Sequence, residues 1–209
     1  LKNKYWKQFK KMLKLGMDEN LISIFQKLKN IVPDAVIKQV SIKKANKNFL
    51  CLCLDGSTKT IRLYSAENNL NEVCEIEFKI LNSGVFIEKF ETDEVYQNAG
   101  LGKYLYNIAL GYADYVGCKN SFGYIEPINA INGISNREKY CKNEEVEFLK
   151  NVYKKLGNEI EVMNIEGIDV YKFTDNWQTN EKFEKLDNTQ KEVVTEFANV
   201  GLMQKEIGE

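Results

Sequence analysis

Thr92-Asp93-Glu94-Val95-Tyr96-Gln97-Asn98-Ala99-Gly100-Leu101-Gly102-Lys103 is the stretch from which the fold is read. A β-like segment, Val85–Thr92, ends in it, and a helical pattern leaves it. Leu101, Leu105, Ile108, Ala109, Tyr112 and Val116 recur at helical spacing, so the period predicts an amphipathic helix over Gly102–Val116. Two glycines just ahead of a helix let the main chain turn tightly and aim several N–H groups at one place. Together with the helix dipole they make an anion site. Gln97–Lys103 is therefore read as a main-chain cradle for the phosphates of a nucleotide-type cofactor. Two common phosphate loops do not fit it. A Walker A loop needs glycine where Gln97 stands and Ser or Thr where Tyr104 stands. The dinucleotide fingerprint needs a third glycine at Leu105.

Upstream, Asn3–Leu15 places Tyr5, Phe9, Met12 and Leu13 on one helical face and lysines on the other. A second helix starts at the N-cap residue Asp18, carries Leu21, Ile24, Phe25 and Leu28 inward, and stops at Pro33. Ala35–Lys43, Asn48–Leu54, Lys59–Tyr64, Val73–Ile80 and Val85–Thr92 are short and β-branched or aromatic, with turn text between them. They predict an antiparallel meander. Downstream, Ser121–Pro127 reads as a strand, 129–142 as a polar loop, and Glu144–Leu156 as a helix closed by Gly157. Glu159–Met163 and Ile168–Phe173 form a hairpin about Glu166-Gly167. Phe183, Leu186, Val193, Phe197 and Val200 mark a helical appendage. The expected division is a helical segment over 1–34, a central domain over 35–175 and a helical appendage over 176–209.

The bulk composition narrows the chemistry. Lys+Arg 29 against Asp+Glu 30 offers no global attraction for nucleic acid. No apolar run of membrane-spanning length occurs. The five cysteines form no CxxC pair and read as free thiols of a reducing cytoplasm. Histidine is absent, which removes Ser-His-Asp and Cys-His nucleophiles, histidine-ligated zinc and a histidine base. No metal is expected. Acid–base work falls to Glu, Asp, Tyr, Lys, Cys or water.

Gln97-Asn98-Ala99-Gly100-Leu101-Gly102 resembles the Gln/Arg-x-x-Gly-x-Gly/Ala motif of the GCN5-related N-acetyltransferases, the GNAT superfamily. Phe148-Leu149-Lys150-Asn151-Val152-Tyr153-Lys154-Lys155-Leu156-Gly157 resembles the helix of that family ending in Tyr-x-Lys-Leu-Gly. The resemblance spans about 84–173, with a strand between the motifs. It departs from the family pattern at Val146, where Asn is usual, and at Asn158, where Phe is usual. It implies an α+β fold of acetyltransferase type: a mixed, mostly antiparallel sheet with helices on both faces and splayed strands that form the acetyl-coenzyme A cleft.

The resemblance also implies site residues. The main chain of Phe90, Glu91 and Thr92 would bind pantetheine and supply an oxyanion donor. Gln97, Asn98, Ala99, Gly100, Leu101, Gly102 and Lys103 would bind the pyrophosphate. Tyr153 would contact the cofactor and protonate the departing thiolate; read alone, it is a core aromatic capping the last turn of its helix. Glu88 and Glu126 are candidates for binding and deprotonating a cationic amine, beside a water-relayed base, and each also reads as an ordinary solvated carboxylate. Glu88 shares the alternating face of Phe86, Phe90 and Thr92 unless a bulge intervenes. The expected reaction is acetyl transfer from acetyl-coenzyme A to a primary amine, on a small molecule or a peptide, by direct attack in a ternary complex. The alternative is a degenerate module that binds coenzyme A or a partner without turnover. The C-terminal run is either a dimer contact or a cover for the sheet.

Overall fold

The computed structural model describes residues 18–67, 70–82, 84–125, 143–165 and 168–207. The expected helix over 3–15, the loop 129–142, the turn Glu166-Gly167, Glu126 and Cys141 lie outside them.

Helix α1 (Glu19–Ile31) starts where expected, with the Asp18 carboxylate accepting the Asn20 N–H at 2.7 Å. Strands β1 (Val36–Ile42), β2 (Lys47–Leu54), β3 (Lys59–Ser65), β4 (Glu72–Leu81) and β5 (Gly84–Thr92) form the predicted antiparallel meander. A 3-10 turn (Glu94–Tyr96) leads to α2 (Leu101–Tyr115), β6 (Asn120–Tyr124), α3 (Asn143–Lys155), β7 (Glu159–Ile165) and β8 (Ile168–Asn176). Helices α4 (Glu181–Glu184) and α5 (Asn188–Ile207) follow. The strands make one eight-stranded sheet in the order β1-β2-β3-β4-β5-β6-β8-β7, in which only β5 and β6 run parallel.

Alternation along the strands assigns the two faces. Ile37, Leu50, Leu52 and Tyr64 pack against Leu21, Phe25 and Leu28 of α1. On the opposite face Cys51, Ile61, Leu63, Cys74, Ile76, Phe78, Val85 and Ile87 pack under α2. Leu186, Val193, Val194 and Phe197 belong to that second cluster, so the C-terminal run is packed into the core over α2.

This burial changes the reading of α2. The sequence predicts one apolar stripe, but Tyr104, Tyr106, Leu110, Gly111 and Asp114 are buried as well, because the helix has the sheet on one side and α4–α5 on the other. Gly111 admits Leu186, whose side chain fills the space a Cβ would need. The buried Asp114 carboxylate accepts N–H bonds from Asn180 at 2.6 Å, Lys182 at 2.8 Å and Phe183 at 2.9 Å, which spends its charge on the start of α4. Val116, expected on the core face, lies past the helix end and is 43% exposed.

Away from α2, Glu75 is buried between Arg62 and Lys89, the latter at 2.8 Å. Burial alone raises its pKa, but the bonds from Lys89 and Arg62 outweigh it and hold the carboxyl below its ordinary range. The folded pKa thus lies below an unfolded value of about 4.3. The stability it contributes is complete above that value and is lost as pH falls through the folded pKa. Chemical denaturation between neutral pH and pH 3 should show a smaller acid-induced loss in Glu75→Gln than in the wild type.

Candidate active site

The ladder between β5 and β6 holds for three rungs, Val85–Ser121, Phe86–Phe122 and Ile87–Gly123, and then ends. β5 stays paired to β4 as far as Thr92. The segment Glu88–Thr92 therefore keeps one edge unpaired by β6 and presents main-chain donors and acceptors to the gap.

A bulge occurs where the strands part. Phe78 pairs with Ile87 and Glu77 with Lys89, which leaves Glu88 as an extra residue in β5. The bulge resets the alternation, so Phe90 and Thr92 turn to the α2 side. The Phe90 ring lies 5.9 Å from that of Tyr106 on α2. Glu88 does not share their face: its carboxylate meets Lys79 Nζ at 2.5 Å and Thr58 Oγ1 at 3.0 Å, on the side away from α2. The bulge is what separates them.

At the end of β5 the cradle is built by backbone conformation. Asn98 and Gly100 both lie in the left-handed region, at φ 61° and 85°, with Ala99 between them. Such alternation curls successive N–H groups toward one point. Gly100 is the N-cap of α2 and offers no side chain to close its first turn. The Gln97 and Ala99 N–H groups are used in the turn, bonding Glu94 O at 3.2 Å and Tyr96 O at 3.3 Å. The first α-helical bond is Tyr104 N–H to Gly100 O at 3.0 Å. Among the described residues no acceptor takes the N–H groups of Asn98, Gly100, Leu101, Gly102 or Lys103. A Cβ at Gly102 would stand 3.0 Å from Phe90 Cζ and 3.4 Å from Thr92 Oγ1, so glycine lets the helix mouth press against β5. The loop Gln97–Lys103 thus opens beside the parted strands. Acetyl-coenzyme A fits the arrangement chemically: a row of free N–H groups for its diphosphate, and an unpaired strand edge for its amide-bearing arm.

Tyr153 belongs to the core cluster on the α2 side of the sheet. Its ring is buried and stacks on Phe173 at 3.7 Å and 12°, and Phe173 in turn fills the space left by Gly123. Burial, with Tyr106 nearby adding to it, holds the Tyr153 phenol above its usual range. These contacts are those of the core-aromatic reading of Tyr153. Asn158, noted in the sequence only as a departure from the family pattern, joins the two helices. It accepts the Tyr106 hydroxyl at 2.9 Å and donates to Tyr153 O at 3.1 Å. Burial pushes the Tyr106 phenol up to about 12, against the hydrogen bond to Asn158. Neither residue carries a sequence signal of its own, because their pairing joins positions 52 residues apart.

Cys51, Cys53 and Cys74 are buried free thiols, and burial pushes Cys74 up to about 12. None has the exposed, cation-rich setting of a nucleophilic cysteine. Among the described residues no group of three or more Asp, Glu or Cys stands ready to hold a metal, and no helix is long and apolar enough to cross a membrane.

No protein-family model matches the chain, and no curated protein sequence does. Solved structures do. The chain superposes with a TM-score of 0.56 and 11% identity on a cAMP-binding acyltransferase from Mycobacterium smegmatis, over 85% of this chain and 60% of that one. It therefore spans about 60% of that protein's length. The chain has the GNAT acetyltransferase fold. Shorter superpositions reach TM-scores of 0.43 on a GNAT-family acetyltransferase from Staphylococcus aureus (14% identity, 58% of this chain, 69% of that one) and 0.39 on a Bacillus subtilis acetyltransferase in complex with CoA (14%, 58%, 78%). At such identities the likeness is one of fold.

The cradle is open to test through its two glycines. Gly100→Val would force a β-branched residue into the left-handed region, and Gly102→Val would drive methyl groups into Phe90. The double variant should retain its far-ultraviolet circular dichroism and lose acetyl-coenzyme A binding by at least about 100-fold in calorimetric titration.

Proposed function

We propose that the protein is an N-acetyltransferase that moves the acetyl group of acetyl-coenzyme A to a primary amine by direct attack in a ternary complex. The observation that carries this reading is the three-rung β5–β6 ladder, which parts beside a cradle of five unspent N–H groups. The cofactor diphosphate sits on Asn98–Lys103, its pantetheine arm runs along the free edge of Glu88–Thr92, and the thioester reaches the gap near Tyr153. A main-chain N–H of β5 in that gap stabilises the thioester oxygen as the amine nitrogen bonds to the carbonyl carbon. The C–S bond then breaks, the Tyr153 phenol delivers its proton to the leaving sulfur, and the surplus proton of the attacking nitrogen returns to the phenolate directly or through water. The raised pKa of Tyr153 keeps that proton in place throughout the physiological range.

The amine approaches from the face that carries Glu88, because the parted strands open the sheet to both sides. Glu88 takes the ammonium proton directly or through water, exchanging Lys79 for the substrate cation. Glu126, two residues beyond the end of β6, is the second candidate for this step.

The rival reading, coenzyme A held without turnover, draws on two observations: Glu88 is already paired with Lys79, and Tyr153 is stacked within the core. Thermal shift with acetyl-coenzyme A, together with thiol release over a panel of small amines and peptides, separates the two. A rise in Tm with ligand is expected. No shift at millimolar ligand would sink both cofactor readings, and a shift with no thiol release across the panel would leave only the binding module.

With an acceptor in hand, Tyr153→Phe should lower kcat by about 100-fold or more while the affinity for acetyl-coenzyme A changes little. The wild-type rate should show no basic limb from Tyr153 at pH 9. An unaltered kcat in Tyr153→Phe would remove the tyrosine from proton transfer, and wild-type turnover in both Glu88→Gln and Glu126→Gln would remove the carboxylates.

A further inference from the structure

The cradle lacks one thing that a diphosphate needs. A diphosphate bridge carries about two negative charges, whereas a helix N-terminus offers the equivalent of about half a positive one. Neutral N–H groups position an anion but do not balance it. Within the cradle segment, only the exposed Lys103 brings a full positive charge.

A second cation reaches the loop from 56 positions upstream of Gly100. The turn between β1 and β2 is closed by Ala45 N–H to Ile42 O and Asn46 N–H to Lys43 O, both at 3.1 Å. Within it the stem of Lys44 lies along Gly100: a Cβ built on that glycine would be 3.3 Å from Lys44 Cβ and 3.4 Å from its Cδ. No carboxylate among the described residues pairs with the Lys44 ammonium, and the residue is exposed. Its neighbour Lys47 is committed elsewhere, gripping both Glu67 oxygens at 2.7 and 2.9 Å.

Lys47 also explains why Lys44 stands where it does. Glu67 lies 3.1 Å from the hydroxyl of Tyr96, which is buried in the 3-10 turn just ahead of the cradle and meets Ser65 Oγ at 2.9 Å. The chain Lys47–Glu67–Tyr96 fastens the β1–β2 turn to the segment that feeds the cradle. Lys44 is thereby held against Gly100 by groups that are not themselves available to a ligand.

We infer that Lys44 is a cofactor-binding residue whose ammonium neutralises the diphosphate of coenzyme A on the Gln97–Lys103 cradle. This rests on the cofactor reading above. Lys44 is a point charge on a flexible stem, suited to a mobile phosphate oxygen rather than to a fixed planar partner. The geometry at Gly100 assigns it to the diphosphate, which the loop itself holds, and not to the ribose phosphate of the cofactor.

Calorimetric titration of the full chain with coenzyme A and with 3′-dephospho-coenzyme A tests the assignment. Lys44→Gln should weaken both ligands by about tenfold or more, as expected for loss of a charge-assisted hydrogen bond. Lys43→Gln, one residue away, should weaken neither. Thermal unfolding of the two variants without ligand should match the wild type, because both side chains are exposed. A wild type that binds coenzyme A while Lys44→Gln binds it equally well would overturn the inference and leave the cofactor reading standing. A loss seen with coenzyme A and absent with the dephospho form would also overturn it, by moving Lys44 to the ribose phosphate. A wild type that binds neither ligand would overturn the cofactor reading itself.

Discussion

The site depends on one constraint in the sheet. β5 must satisfy β4 along its length, but it meets β6 over only three residues. Main-chain groups stripped of water and left without partners are costly, so a strand edge inside a fold is normally paired or covered. Here it opens into a gap that also receives the mouth of α2. The bulge at Glu88 belongs to the same constraint, since it bends β5 where pairing ends and swings Phe90 and Thr92 toward the helix. Phe90 then meets Gly102 and Tyr106, and the strand edge and the cradle become one continuous surface.

That surface is held firmly because α2 is anchored on both sides. Against the sheet, Leu101, Leu105, Ile108 and Ala109 are fully buried. Against the C-terminal region, Gly111 admits Leu186, and Asp114 binds the N–H groups of Asn180, Lys182 and Phe183. Buried hydrogen bonds to a carboxylate are strong, and breaking such a set leaves several donors unsatisfied. A helix gripped this way cannot shift its first turn easily, and preorganised N–H groups bind an anion without the cost of ordering a loop. Asn158 extends the same rigidity to the end of α3, where Tyr153 sits.

The two faces of the sheet divide the chemistry. On the α2 side lie aromatic rings, Tyr153 and, among the described residues, the free N–H groups: an apolar lining with a few polar points. On the other side lie Glu75, Glu77, Glu88 and Lys79, Lys89, Arg62, a paired ionic network. Charge on that side is nearly balanced within the chain, and each carboxylate there already has a cationic partner.

The local features were legible in the sequence because they rest on local rules. Period-two text gave the meander, period 3.6 gave α1 and α2, and Gly100 and Gly102 ahead of a helical run gave the cradle, all from residues that act on their own neighbours. The full burial of α2, the bulge that takes Glu88 away from Phe90, the bond between Tyr106 and Asn158, and the arrival of Lys44 beside Gly100 were not legible. Each depends on which distant segments share a surface, and residue spacing along a chain carries no record of that. A glycine pair before a helix fixes where an anion can be held; the packing of the β1–β2 turn against that glycine decides which cation stands beside it.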